Sequence, residues 1–176
     1  MFLCFPDKMP TLEELIGAEH ADDIAATGSG DEKVAFLEEN SGLVRQLLEM
    51  GFNGSHMYEV LHGSEWKEKF VRVSRDYKGV WKPLGFTGSH LAQIVFGAGW
   101  EEKLDRISSN YETVWKPLGF TPSHIAKIVR GKGWEQKLQW IDTRYAESGY
   151  TPAEVPRIMA KKNWVERLGY ETTAVA

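Results

Sequence analysis

Apolar residues along most of this chain recur at i, i+3 and i+4, the period of a helix with one buried face. The short stripes are Met57, Val60, Leu61; Leu91, Ile94, Val95; Ile125, Ile128, Val129; and Val155, Ile158, Met159. A start signal precedes each one. Asn53, Thr87, Thr121 and Thr151 are of the type that caps a helix N-terminus, and Pro122 and Pro152 fit the first helical position, where a missing N–H costs nothing. Thr151 and Glu154 have the spacing of a capping box. Gly63, Gly97 and Gly131 then stop the helix and allow a tight turn. A longer stripe follows, as in Trp66, Phe70, Val73, Tyr77 and Val80; Pro83 and Pro117 cannot continue it, and Gly85 and Gly119 close it. The pattern predicts pairs of helices joined by a short turn, with another short helix start at Thr11 to Glu14.

The pairs are copies of one another. Phe86 opens FTGSHLAQIVFGAGWEEKLDRI and Phe120 opens FTPSHIAKIVRGKGWEQKLQWI, 22 residues with 14 identities and no gap. Phe52, Phe86 and Phe120 are 34 residues apart, as are His56, His90 and His124, and Trp66, Trp100 and Trp134. A fourth copy starts 30 residues on at Tyr150, because the third has lost four. His20, Ile24, Lys33 and Val34 stand 36 residues before His56, Val60, Lys69 and Phe70, which suggests a degenerate copy before the first. A helix pair of this size cannot bury both of its faces alone, so neighbours must stack. The expected fold is all-α: a right-handed solenoid of stacked ~34-residue two-helix repeats with an N-terminal helical cap. The boundaries are 1–18 for the cap, 19–51 for the degenerate repeat, 52–85, 86–119 and 120–149 for repeats 1 to 3, and 150–176 for the C-terminal partial repeat.

Charge changes the picture by its distribution. The 176 residues carry a net charge of −4. Residues 1–50 hold 3 Lys/Arg against 11 Asp/Glu, and residues 51–176 hold 18 against 14. An acidic segment thus precedes a mildly basic array, which removes the objection that the overall acidity raises to a polyanionic partner. One cysteine, Cys4, excludes an internal disulfide framework and a four-cysteine zinc site, and fits a reducing compartment. No stretch approaches a membrane span, and Met1-Phe2-Leu3-Cys4-Phe5 is too short for a signal-peptide core. The expectation is an intracellular protein with no membrane contact, in the cytoplasm or nucleoid.

Several residues invite a chemical reading. The repeated Ser55-His56, Ser89-His90 and Ser123-His124 look like catalytic or metal-ligating pairs. Stacked helices are about 8–10 Å apart, too far for ligands of one metal. The plainer role puts each His at the third helical residue, in the place of the capping-box Glu. Trp66, Trp100 and Trp134 can pack between repeats or stack on a nucleic-acid base, with packing favoured; Trp81 and Trp115 cover the joint between repeats. Trp140, standing where repeat 2 has Arg106, is a candidate exposed contact. No nucleotide loop, activated nucleophile or acid–base dyad is evident, so neither enzyme activity, cofactor nor metal is expected.

The copies differ most in the turn between their helices. Phe96 and Ala98 become Arg130 and Lys132; repeat 1 has His62-Gly63-Ser64-Glu65 there and the fourth copy Ala160-Lys161-Lys162-Asn163. Variable turns on a constant scaffold are either tolerated change or a modular reading surface. Phe120-Thr121-Pro122, Ile128, Gly131-Lys132, Gly133, Gln136 and Leu138 give the second reading a precedent. On these residues the block over 52–168 resembles the repeats of transcription-activator-like effectors and their TALE-like relatives. The resemblance implies a DNA-binding protein in which the second turn residue of each repeat reads one base in the major groove of double-stranded DNA. Carried over, the readers are Ser64, Ala98, Lys132 and Lys162, braced by Gly63, Gly97, Gly131 and Lys161. Candidate phosphate contacts are Lys67, Lys69, Lys103, Arg130, Gly133 and Lys137. Transcription regulation follows by the same analogy, with a host nucleus as the location if the chain is a secreted effector. Four readers give modest discrimination, so a lone copy should bind weakly. The alternative is a protein-binding helical scaffold, its partner held by a Trp-rich surface.

Overall fold

The computed structural model describes residues 10–170, and among them every regular element is helical. The all-α expectation holds. Residues 1–9, with Cys4 and half of the expected cap, and residues 171–176 lie outside the described residues. The chain divides into two compact units at Ser74 and Arg75.

The first unit contains α1 (Leu12–Ile16), α2 (Ala18–Ala25), α3 (Gly30–Glu39), α4 (Ser41–Glu49), α5 (Gly54–Val60) and most of α6 (Trp66–Asp76). Thr11 and Glu14 form a capping box at α1, whose Leu12 and Ile16 are buried; α1 packs on α2 and α4. The region expected to be a degenerate copy holds a third helix, α4, beside α2 and α3, and it shares two local features with the hairpin that follows. Ser29 before α3 and Glu65 before α6 both hold left-handed backbone, φ 62° and 56°. Lys33 and Lys69, four residues later, are both buried. α2 and α5 approach so closely that a Cβ on Gly54 would lie 2.1 Å from the His20 ring, which leaves room only for glycine. Phe36 meets Trp66 and Phe70 edge-on, with ring centroids 5.3 and 5.7 Å apart.

The second unit contains α7 (Gly88–Val95), α8 (Trp100–Asn110), α9 (Pro122–Val129), α10 (Trp134–Arg144), α11 (Val155–Met159) and α12 (Trp164–Arg167). Its first helices pack in sequence, α7 on α9 and α9 on α11, and each also packs on its own second helix. Leu91, Ile94, Val95, Ile125, Ile128 and Val129 are fully buried along this line. Burial of each such side chain contributes about 1.5–3 kcal/mol, so the stripe read in the sequence is the core of this unit.

The ends of the second helices depart from the expected uniform α-helix. Tyr77–Trp81 and Tyr111–Trp115 form π-helical turns, with Lys82 N donating to Tyr77 O at 2.9 Å and Lys116 N to Tyr111 O at 2.8 Å. The wider turn keeps Tyr77 and Trp81 both buried, and likewise Tyr111 and Trp115. The chain then closes as a Schellman motif: Phe86 N bonds Trp81 O, and Gly85, at φ 83°, bonds Lys82 O. In the shortened third copy a 3-10 turn, Tyr145–Glu147, takes this place. No tryptophan follows Tyr145 there, and Trp140 supplies an indole from the helix itself, 6.3 Å from the Tyr145 ring and 1% exposed. The expectation of an exposed Trp140 is therefore corrected. α11 also starts later than Pro152, although Thr151 N does donate to Glu154 Oε2 at 2.8 Å.

Candidate nucleic-acid interface

The start of each first helix is fixed by histidine. Asn53 N donates to His56 Nδ1 while His56 N donates to Asn53 Oδ1, and Thr121 with His124 repeats the exchange. Thr87 N likewise donates to His90 Nδ1 at 3.1 Å. Each Nδ1 accepts, so the ring is used in its neutral form. Burial pushes the His56 and His124 pKa down, against Glu59 in the first case and with the help of Lys127 in the second. The Ser-His repeats thus serve as caps. Among the described residues no group of three His, Cys, Asp or Glu is placed to hold a metal.

With the first helices packed in sequence, the turns of the second unit come together along one edge. An open groove of about 560 Å³ lies between turn 96–99 and turn 130–133, and another of about 570 Å³ between turn 130–133 and turn 160–163. Ala98, Gly97, Lys132, Gly131, Lys162 and Lys161 are all exposed there. Ser64 and Gly63 are exposed in the first unit. Gly63 and Gly97 hold left-handed backbone at φ 80° and 82°; in the third turn it is Gly133, at φ 69°, that does so, and not Gly131.

The lysines assigned to phosphate divide sharply. Lys69 and Lys103 are 3% and 1% exposed, and each Nζ donates at 3.0 Å to a carbonyl seven residues back, His62 O and Phe96 O. The same position in α3, Lys33, donates to Thr27 Oγ1 at 2.8 Å. These ammonium groups tie the second helix to the end of the first, a use of lysine near helix C-terminal carbonyls that the helix dipole favours. Burial lowers the pKa of Lys33, Lys69 and Lys137. Lys69 and Lys103 are therefore turn braces, a role that the resemblance had given to the turn residues alone. A signal existed in the sequence. Trp66, Lys69, Phe70, Val73 and Tyr77 form one stripe, and a lysine on an apolar stripe is a lysine with a buried partner. Lys67 is also occupied, paired with Glu32 and 5.2 Å from the Trp66 ring. Gly133 receives Lys137 N on its carbonyl at the start of α10.

Arg130 remains at the surface, 5.4 Å over the Phe96 ring. The two grooves differ in charge. Lys103, Arg130 and Lys132 line the first, together with Glu135. Lys127, Arg130, Lys132, Lys137, Lys161 and Lys162 line the second, with no carboxylate. Fields of one sign in a concave surface attract counter-ions strongly.

All seven tryptophans are at most 8% exposed. The Trp-rich surface that the scaffold reading required does not form, because the indoles fill the helix pairs and joints. The chain matches no protein-family model, no curated protein and no solved structure. No helix among the described residues is long and apolar enough to cross a membrane.

Proposed function

We propose that this chain binds double-stranded DNA through its inter-helix turns, as a TALE-like protein whose helix pairs continue in a right-handed solenoid. The observation that carries the reading is the cationic groove at turns 130–133 and 160–163, on the edge where the family analogy places DNA. Phosphate neutralisation supplies most sequence-independent affinity for a duplex, and a groove lined by cations without carboxylates is suited to it. Exposed turn residues vary from copy to copy, and the buried lysines Lys69 and Lys103, with the histidine caps, give the turns they brace a defined position from which to meet a base edge. By the family analogy Ser64, Ala98, Lys132 and Lys162 stand at the turn position that reads the bases. Discrimination of about 1–3 kcal/mol per good bidentate contact sets the ceiling, and serine and alanine fall below it. Binding, not catalysis, is the activity proposed, with transcription regulation as its consequence.

The test is selection from a randomised duplex pool with the wild type and with Ala98→Lys/Lys132→Ala, which exchanges two turns at constant charge. The selected sequences should shift at the positions facing those turns. Identical selections from both proteins would end the base-reading proposal.

A further inference from the structure

The lysine position that braces each hairpin is left unbraced in one copy. Lys137 is 6% exposed, yet its Nζ has no hydrogen-bond partner among the described residues. It does not take the Arg130 carbonyl as Lys69 and Lys103 take theirs. Its ammonium instead lies on the wall of the groove between the third and fourth turns, 3.4 Å from where a Cβ on Gly131 would stand. The side chain of Lys137 is buried while its Nζ reaches the open groove, which offers that ammonium cations only. Lys127, Lys132, Lys161 and Lys162 are exposed around it and make no ion pair among the described residues. Everything about this pocket is complementary to a compact oxyanion with several acceptor atoms.

We propose that the groove between turns 130–133 and 160–163 is a phosphate cradle, in which Lys137 from the floor and Lys132 and Lys162 from the rim hold one or two phosphates of a nucleic-acid backbone. This rests on the DNA-binding reading and names the part of the duplex that this end of the turn row meets. Its consequence departs from the family analogy. Lys132 and Lys162 neutralise phosphate, and the base selectivity lies with the other turns. Gly131 suits the role, because a side chain there would stand in contact with the Lys137 ammonium and narrow the cradle.

The experiment measures duplex affinity against salt for three proteins: wild type, Lys132→Gln/Lys162→Gln, and Lys78→Gln/Lys82→Gln. The last removes equal charge from exposed lysines outside the groove. Loss of two phosphate contacts should reduce the slope of log affinity against log salt by about 1.8, equally for duplexes of unrelated sequence, while the control pair keeps the wild-type slope. Inorganic pyrophosphate, titrated in parallel, should shift the Gly131 and Gly133 amide resonances in the wild type and much less in Lys137→Met. An equal slope change in the control pair would overturn the cradle. So would a groove pair that alters which duplex is preferred, and that result would leave base reading intact. Pyrophosphate shifts at Gly131 without any duplex binding would keep the phosphate site and remove the DNA reading. Absence of both responses would end both.

Discussion

Hairpins α7–α8 and α9–α10 are built from nearly the same sequence, yet they use the same lysine in opposite ways. In the first, Lys103 is buried and bonded to Phe96 O, and its groove contains the carboxylate of Glu135. In the second, Lys137 is buried without a bond, and its groove holds cations alone. A brace and a site can therefore occupy one position of a repeat. What decides between them is whether the ammonium is satisfied by the hairpin or left to the groove. The scaffold is the repeated part, and the proposed site lies where one copy omits a contact that its neighbour makes.

The contrast is broken or sharpened first by removing the two ammonium groups. Lys103→Met takes a charge-assisted bond from the part-buried Phe96 carbonyl and should destabilise by about 1.5–3 kcal/mol. Lys137→Met loses no such bond and relieves a desolvated charge, so its urea midpoint should equal or exceed the wild type's. Equal losses would show that Lys137 is braced after all. A second pair of sites contrasts the joints between copies. Trp115 Nε1 donates to Asp142 at 2.6 Å, and Asp142 also holds Arg106, whereas the buried Trp81 Nε1 has no partner. Asp142→Ala should cost about 1–3 kcal/mol by orphaning the indole, and Ser108→Asp, 34 residues before Asp142, should add about 1 kcal/mol in thermal unfolding.

Smaller effects are expected at the turn backbone. Glu65 holds the left-handed conformation that Gly133 supplies in the third hairpin. Glu65→Gly should therefore stabilise by about 1 kcal/mol and Gly133→Ala should destabilise by about as much, both read by chemical denaturation. The smallest effect is that of the caps. The His56 and His124 pKa values are lowered on folding, so the neutral-ring contribution is complete above the ordinary histidine value of about 6.5 and declines as pH falls through it towards the folded value. Replacing His56, His90 and His124 by Glu, the residue that nature uses at Glu154, should remove most of this loss between about pH 7 and 5 in thermal unfolding scans.

The hairpins themselves were legible because a helical period, cap residues and breakers agree at every copy; Thr121, Pro122 and Ile125 alone place the start of α9. The histidine caps were legible for the same reason, since spacing to Asn53 or Thr121 is local. The buried lysines were not, because lysine reads as polar wherever it occurs and its burial depends on a carbonyl seven residues away across the turn. Trp140 was misread because a four-residue deletion downstream changed what its indole had to fill. The π-helical turns at Tyr77 and Tyr111 escape a periodicity argument, since one added residue per turn leaves the stripe almost unaltered. The division near Ser74 falls inside α6, where no change of composition marks it.

Amide hydrogen exchange with and without a saturating duplex tests the central assignment most directly. Protection should appear at residues 97–99, 130–133 and 160–163, with the π-helical turns at 77–81 and 111–115 unchanged. Protection confined to those π-helical turns, with the inter-helix turns exchanging as in the free protein, would contradict it.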